Sequence, residues 1–315
     1  MPADQLAVGI DVGATNTKIG LVNASGRILD YQVIPSRLKT GDSASFLKET
    51  GSVIAAYKKA YPLKGIGVAL CSLINQAHSG AFLAVNAPAL NDLDIQAAFE
   101  SRFSCPVKVV NDVYAYALAE VHFGASNGVE RLLCLALGTG LAIAVIVNGQ
   151  AIETWGGVPG DAGRLILEPG AQVMCNGGVY GSAEALCGTA NIERLARQRY
   201  NRAGITAHEV IAAAREGTDP LAHQIMAEVG FHVGHLLAIL SPIFFPQRIL
   251  ITGGTAEAGD PLFTAIRERY QALIGGYMAE LAHLEKGVRL PVEILKGSLG
   301  SEAAIIGAAW GILKG

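Results

Sequence analysis

Charge is scarce in this chain: only 16% of its 315 residues are Asp, Glu, Lys or Arg, against roughly 25% in an average soluble domain. The net charge is −3 and no basic cluster occurs, so neither nucleic acid nor an anionic membrane surface is expected as a partner. Sparse charge points instead to self-association, and a homodimer is expected. Cysteine pairing is missing as well. The five cysteines, at 71, 105, 134, 175 and 187, form no Cys-x-x-Cys and are odd in number, which fits reduced thiols in a cytoplasmic protein. The start, Met1-Pro2-Ala3-Asp4-Gln5, has neither the basic residues nor the apolar stretch of a secretory leader. One stretch imitates a membrane helix, Leu132 to Val147, but Gly138-Thr139-Gly140 interrupts it and its second side is β-branched, so two buried strands account for it better.

What the chain has in quantity is apolar surface and glycine: 51% hydrophobic residues and 38 glycines. That is enough apolar material for two packed cores, and the length suits about two domains. Two glycine-bearing turns stand out, Asp11-Val12-Gly13-Ala14-Thr15-Asn16-Thr17-Lys18 and Leu137-Gly138-Thr139-Gly140-Leu141, each between apolar β-branched runs. Glycine at positive φ lets successive N–H groups face one concavity, which suits a phosphate. A plain hairpin turn explains either one alone. Asp11 argues for more, because a carboxylate ends the apolar strand Leu6 to Ile10, where it could hold the Mg²⁺ that accompanies ATP. Thr15 and Thr139 would add hydroxyl donors. A third element, Ile249 to Thr252 followed by Gly253-Gly254, permits a nucleotide to approach the backbone closely.

The patterning predicts strands over 6–11, 18–22, 28–34, 65–70 and 107–110, with helices over 43–60, 95–103 and 113–123. The second half repeats the order, with strands over 132–137 and 142–147, a short one near Ala151, then helix 221–240, strand 248–252, helix 261–281, strand 292–295 and helix 302–313. Three strands followed by alternating helix and strand, twice, predicts a duplicated α/β architecture with a ligand cleft between the halves. Between the turns, Val109-Val110-Asn111-Asp112-Val113 ends a strand and opens an alanine-rich helix. Asp112 there can serve as the N-cap. It can also take the proton from a substrate hydroxyl attacking a γ-phosphorus, with Asn111 positioning that substrate, and the two roles are compatible. His232 and His235, three apart on a predicted helix, read as core or solvated helix residues rather than metal ligands.

The ordered set resembles the ROK family of sugar kinases and repressors, in the actin-like ATPase superfamily that includes hexokinases. It comprises Gly9 to Lys18, Asn111-Asp112 with Ala115, Ala117 and Glu120, Leu137-Gly138-Thr139-Gly140, Thr252-Gly253-Gly254 and Gly300 to Ala309. The resemblance implies two actin-like (ribonuclease H-like) α/β domains. The first is expected over 1–115, closed by a C-terminal helix 300–315, and the second over 116–299, with an insertion around 151–218. It implies an ATP- and Mg²⁺-dependent carbohydrate kinase acting on a hexose or modified hexose hydroxyl, with Asp112 as general base. Asp11, Gly13, Thr15, Asn16, Lys18, Gly138, Thr139, Gly140, Gly253 and Gly254 would hold the nucleotide. Few residues precede the Asp11 strand, so the DNA-binding domain of the family's repressors is not expected.

On the acceptor side the chain departs from the family. The usual Gly-Glu-x-Gly-His reads Gly160-Asp161-Ala162-Gly163-Arg164, and the usual three-cysteine segment reads Cys175-Asn176-Gly177-Gly178-Val179-Tyr180-Gly181-Ser182-Ala183-Glu184. One cysteine of three remains and the histidine is an arginine, which stays protonated and cannot ligate a metal, so no zinc is expected. Asn111, Asp161, Arg164 and Glu184 are the expected substrate-side residues. Arg164 has two readings: it fills the vacated histidine position and pairs with Asp161 or Glu184, or its planar fork binds an anionic or carbonyl substituent of the substrate. Cys71-Ser72 replaces a Pro-Gly turn, and Ala89-Leu90-Asn91-Asp92-Leu93 replaces the usual sugar loop. These changes motivate the alternative of a non-catalytic sugar-sensing or regulatory protein.

Overall fold

The structure, a computed structural model, describes residues 5–39, 41–284 and 292–314. Most of Met1 to Gln5, on which the leader reading rests, lies outside them. The chain divides into two compact units, one of residues 1–128, 149–160 and 298–315, the other of 129–148 and 161–297.

In the first unit the apolar runs form β1 (Leu6–Val12), β2 (Asn16–Asn23), β3 (Ile28–Pro35) and β4 (Leu63–Leu70). A small hairpin follows, β5 (Leu73–Ile74) and β6 (Ala81–Leu83), and then β7 (Val107–Asn111). The main sheet runs β3-β2-β1-β4-β7, antiparallel between β1, β2 and β3 and parallel between β1, β4 and β7. Every residue of β1 is buried, as expected of a strand covered on both faces. Helices α1 (Ser43–Ala60), α2 (Ile95–Phe103) and α3 (Asp112–Phe123) belong to this unit. The parallel register aligns Val12 with Leu70 and Leu70 with Asn111. Residues that end or follow those strands, Asp11, Cys71 and Asp112, therefore share one sheet edge, where α/β sheets place ligands.

In the second unit β8 (Arg131–Leu137) and β9 (Leu141–Val147) are antiparallel. The short β10 (Gln150–Ala151) falls in the stretch 149–160 counted with the first unit, and the second unit continues with helices α4 (Ala183–Cys187), α5 (Thr189–Tyr200), α6 (Ala207–Glu216) and α7 (Pro220–Phe244), then β11 (Arg248–Thr252), α8 (Asp260–Leu284) and β12 (Glu293–Lys296). The order β9-β8-β11-β12 matches β2-β1-β4-β7, with the same alternation of antiparallel and parallel pairs, so the duplication read from the pattern is real. Helices α4 to α6 were not assigned from the sequence. Leu186, Ile192, Leu195 and Val210 from them enter the same core as β8, α7 and α8.

The helix predicted over 221–240 is longer at both ends. Asp219 caps it by accepting from Leu221 and Ala222 N–H, and it passes through Pro242 to Phe244. At 25 residues it is long and apolar enough to cross a membrane by length and composition, so Leu132 to Val147 is not the only such stretch. Its Ile225, Met226, Val229, Val233, Leu236 and Leu237 are buried in the core, which is how a core helix of a globular domain behaves.

The C-terminal helix α9 (Ala303–Leu313) belongs to the first unit, as its packing on β1, β4 and α3 requires. A Cβ at Gly9 would lie 2.0 Å from the Ile305 carbonyl oxygen, at Gly67 1.9 Å from that of Ala308, and at Gly307 1.8 Å from that of Ala115. These glycines permit the approach. Glu120 of α3, 1% exposed, accepts from Leu299 N–H (2.9 Å), Ala125 N–H (2.8 Å) and Ser298 Oγ (3.0 Å). Each bond is charge-assisted, so the carboxylate ties the entry of α9 to the end of α3.

Candidate active site

In the first unit the site forms where β1, β4 and β7 end. The antiparallel register sets Asp11 opposite Lys18, and Lys18 Nζ lies 3.3 Å from Asp11 Oδ2 while donating to the Ser301 carbonyl (2.8 Å). Burial raises the Asp11 pKa, and the Lys18 charge opposes this only in part. Asp112 is pushed up to about 7, first by burial and then by the neighbouring Asp11 charge. The Asp11 carboxylate is a hard oxygen donor of the kind that suits Mg²⁺, and its charge is one cause of the raised Asp112 pKa. Burial and both aspartates also push the Cys71 thiol up to about 12, which keeps it protonated and inert.

The N-cap reading of Asp112 needs correction. Asn111 is the cap: its Oδ1 accepts from Val113 and Tyr114 N–H, its Nδ2 donates to the Ser72 carbonyl, and Asp112 is the first helical residue. The Asp112 side chain accepts at Oδ1 from Val113 N–H (2.9 Å) and also from its own backbone N–H. Asn111 is buried and has one amide hydrogen left for a ligand. Ser72 Oγ is buried with no partner among the described residues.

The reason for glycine in the two turns also differs from the expectation. Gly13, Gly138 and Gly140 do not adopt positive φ. The N–H groups of Gly13 and Gly138 close their own turns, onto Asn16 O (3.1 Å) and Gly140 O (3.0 Å). What glycine provides is room. A Cβ at Gly13 would meet Asn16 O at 2.9 Å, a Cβ at Gly140 would meet Glu184 Oε2 at 2.8 Å, and nothing lies within 4 Å of one at Gly138. Thr15, Asn16 and Thr139 are exposed at the tips. Gly253 does need its conformation, with φ +89° and a Cβ that would sit 2.4 Å from Leu137 O. It brings Gly253-Gly254 against the end of β8, beside the Gly138 turn.

The acceptor-side residues of the second unit converge on Arg164. Its Nη1 donates to Glu184 Oε1 (2.5 Å) and lies 3.0 Å from Cys175 Sγ, and its Nε is 3.4 Å from Asp161 Oδ2. Glu184 Oε2 accepts from Leu141 N–H (3.2 Å), which sets the carboxylate against the Gly138-Thr139-Gly140 turn. Burial works against a Cys175 thiolate, but the Ser182 hydrogen bond, backbone N–H groups and the Arg164 charge outweigh it and hold its pKa below the usual thiol value. This donor set does not fit zinc, because a permanently protonated guanidinium stands among one thiol and two carboxylates. His232 is a core residue whose pKa burial lowers.

Sequence reasoning missed the helix beside this cluster. Thr139, Cys175, Glu184, Asn191, Arg194 and Arg197 line a cavity of about 220 Å³, and Asn191 and the two arginines come from α5. The one local signal was Gly188-Thr189 before Ala190-Asn191, a helix start without a side-chain cap.

Known proteins share this construction. The ROK family profile matches residues 7–314. The glucokinase of Halalkalibacterium halodurans is 26% identical over 326 residues, covering 98% of this chain and 95% of that protein. The DNA-binding transcriptional dual regulator NagC of Escherichia coli K12 is 29% identical over 271 residues, covering 82% of this chain and 66% of that protein. Among solved structures, a ROK family glucokinase of Streptomyces griseus in complex with glucose and AMPPNP superposes with a TM-score of 0.82 at 24% identity, covering 98% of this chain and all of that one. With the two matching sheets, the glycine turns at their edges and a profile that spans all but the chain ends, this protein belongs to the ROK family.

Proposed function

We propose that the protein is an ATP-dependent sugar kinase that transfers the γ-phosphoryl group of ATP to a hydroxyl of a hexose or modified hexose. The observation that carries this is Asp112: a carboxyl at the strand-edge end of a helix, capped by another residue, with a pKa pushed up to about 7 beside Asp11. A general base works best with its pKa near the working pH. In the transfer, the sugar hydroxyl oxygen forms a bond to the γ-phosphorus as the bond to the β-γ bridging oxygen breaks. The hydroxyl proton passes to the Asp112 carboxylate, and ADP leaves. Asp11 would hold Mg²⁺, which when bound neutralises phosphate charge. The Gly138 turn and Gly253-Gly254 supply open backbone for the phosphates, and Glu184 and Asp161 supply acceptors for sugar hydroxyls. The glucokinase relatives support this reading, and the AMPPNP bound by the Streptomyces griseus protein supports ATP as donor. We place the protein in the cytoplasm, where ATP is available, and as a homodimer on its sparse charge.

A coupled assay of ADP release over hexoses, hexosamines and uronic acids tests the reading. Sugar-dependent ADP release with at least one class is expected, and none at high protein concentration contradicts it. A second reading, a sugar-binding regulator without turnover, draws on the NagC likeness and on a Glu184 already engaged by Arg164. Calorimetry separates the two, since a regulator of this kind binds sugar without affinity for ATP.

A further inference from the structure

We propose that Arg164 is a positioning residue whose guanidinium joins Asp161 of its own turn to Cys175 and Glu184 further along the chain, and so fixes the Glu184 carboxylate for a sugar hydroxyl without any metal. The inference rests on reading this cluster as the acceptor side of a sugar kinase. Its geometry is that of a built clasp. The guanidinium carbon lies so close to the chain at Gly177 that a Cβ there would be 2.7 Å away. Around that glycine the backbone turns back on itself, with Cys175 N–H donating to Val179 O (3.1 Å), Gly178 N–H to Cys175 O (3.0 Å), and a bridge between Met174 and Tyr180. The turn is thus packed against the guanidinium, whose Nη1 meets both Cys175 Sγ and Glu184 Oε1 and whose Nε meets Asp161.

Glu184 is held at both ends, Oε1 by Arg164 and Oε2 by Leu141 N–H. Each carboxylate oxygen accepts about two hydrogen bonds, so a lone pair remains on each for a sugar hydroxyl in a fixed direction. A planar fork holds several acceptors at once, as a point-charge ammonium does not. The clasp therefore does for Glu184 what outer-shell partners do for ligands of a metal site, where they set orientation rather than take part in the reaction.

Arg164→Met and Arg164→Lys test this with two readouts. In steady-state assays Arg164→Met is expected to raise the KM for the sugar acceptor by about 10- to 100-fold, with the KM for ATP within about twofold of wild type, and Arg164→Lys to fall between, about threefold or more above wild type. Iodoacetamide labelling of Cys175, followed by peptide mass spectrometry and compared as the rate of the thiolate because loss of the Arg164 charge alone slows alkylation, is expected to speed up about tenfold or more in Arg164→Met and by less in Arg164→Lys, because the turn that buries the thiol loses its anchor. Folded Arg164→Met with an unchanged acceptor KM, or with acceptor and ATP KM rising together, overturns the proposal, as does unchanged Cys175 labelling. If Arg164→Met does not fold, wild-type values of both readouts in Arg164→Lys overturn it. Wild-type protein that phosphorylates no sugar defeats the kinase reading instead, and labelling then still reports whether the clasp exists.

Discussion

Asp112→Asn is expected to lower kcat by roughly 10²–10⁴ while the KM values for sugar and ATP change by less than about threefold, because only the proton acceptor is removed. The substitution is nearly isosteric and keeps an oxygen for Val113 N–H, and the helix cap stays with Asn111. Activity is then lost without loss of structure. The same variant carries a second signature, in stability. The Asp112 carboxyl has a folded pKa of about 7 against an ordinary value of 3.8, so between those values the native state holds a proton that the unfolded chain releases. Its contribution is fully present below about pH 4 and is lost as pH rises through about 7. At pH 8 the ionised carboxylate therefore costs the native state, on the order of 2 kcal/mol once its partial exposure is allowed for. Asp112→Asn should melt higher than wild type at pH 8 and show a flatter stability profile between pH 4 and 8. A variant that keeps wild-type kcat, or melts lower at pH 8, removes Asp112 from the role of base.

Gly307→Ala is expected to have the largest effect on folding. The added methyl would lie 1.8 Å from the Ala115 carbonyl oxygen, a contact between two helix backbones that no side-chain rotamer relieves. Relief requires moving α9 away from α3, and α9 also rests on Gly9 and Gly67 of β1 and β4. Overpacking of this kind costs about 3 kcal/mol or more, which corresponds to a melting temperature lower by roughly 6–12 °C. Since Asp112 opens α3, the folded fraction should also lose kcat. Thermal denaturation followed by circular dichroism checks it, and a shift under about 1 °C would mean that α9 does not pack as described.

The elements of both sheets were legible because their signals are local: apolar β-branched runs, glycine turns between them, and an Asn-Asp junction before an alanine-rich helix. The Lys18 to Asp11 pair follows from the hairpin register itself. Harder to read were contacts between distant segments. Nothing in Gly140 alone shows that it makes room for the Glu184 carboxylate, 44 residues on, and Gly9 and Gly67 lie more than 200 residues before the α9 backbone they admit. Close approach rather than positive φ governs Gly13 and Gly140, and that reason for glycine is not visible locally. The region of α4 to α6 was passed over although Thr206 and Glu209 form a capping box there, a signal visible in the sequence as Thr-x-x-Glu. Arg164 was read with two meanings, pairing with Asp161 or Glu184 or binding a substrate substituent, because a guanidinium suits both. The structure pairs it with both Asp161 and Glu184.

The central claim is phosphoryl transfer to a sugar, and ³¹P NMR of a reaction with enzyme stoichiometric to ATP, Mg²⁺ and the sugar tests it most directly. The account predicts a sugar phosphate monoester resonance that grows as ADP appears, in equal amounts, with wild-type protein and far more slowly with Asp112→Asn. ADP accompanied only by inorganic phosphate, or an unchanged ATP spectrum with a sugar that calorimetry shows to be bound, would contradict it.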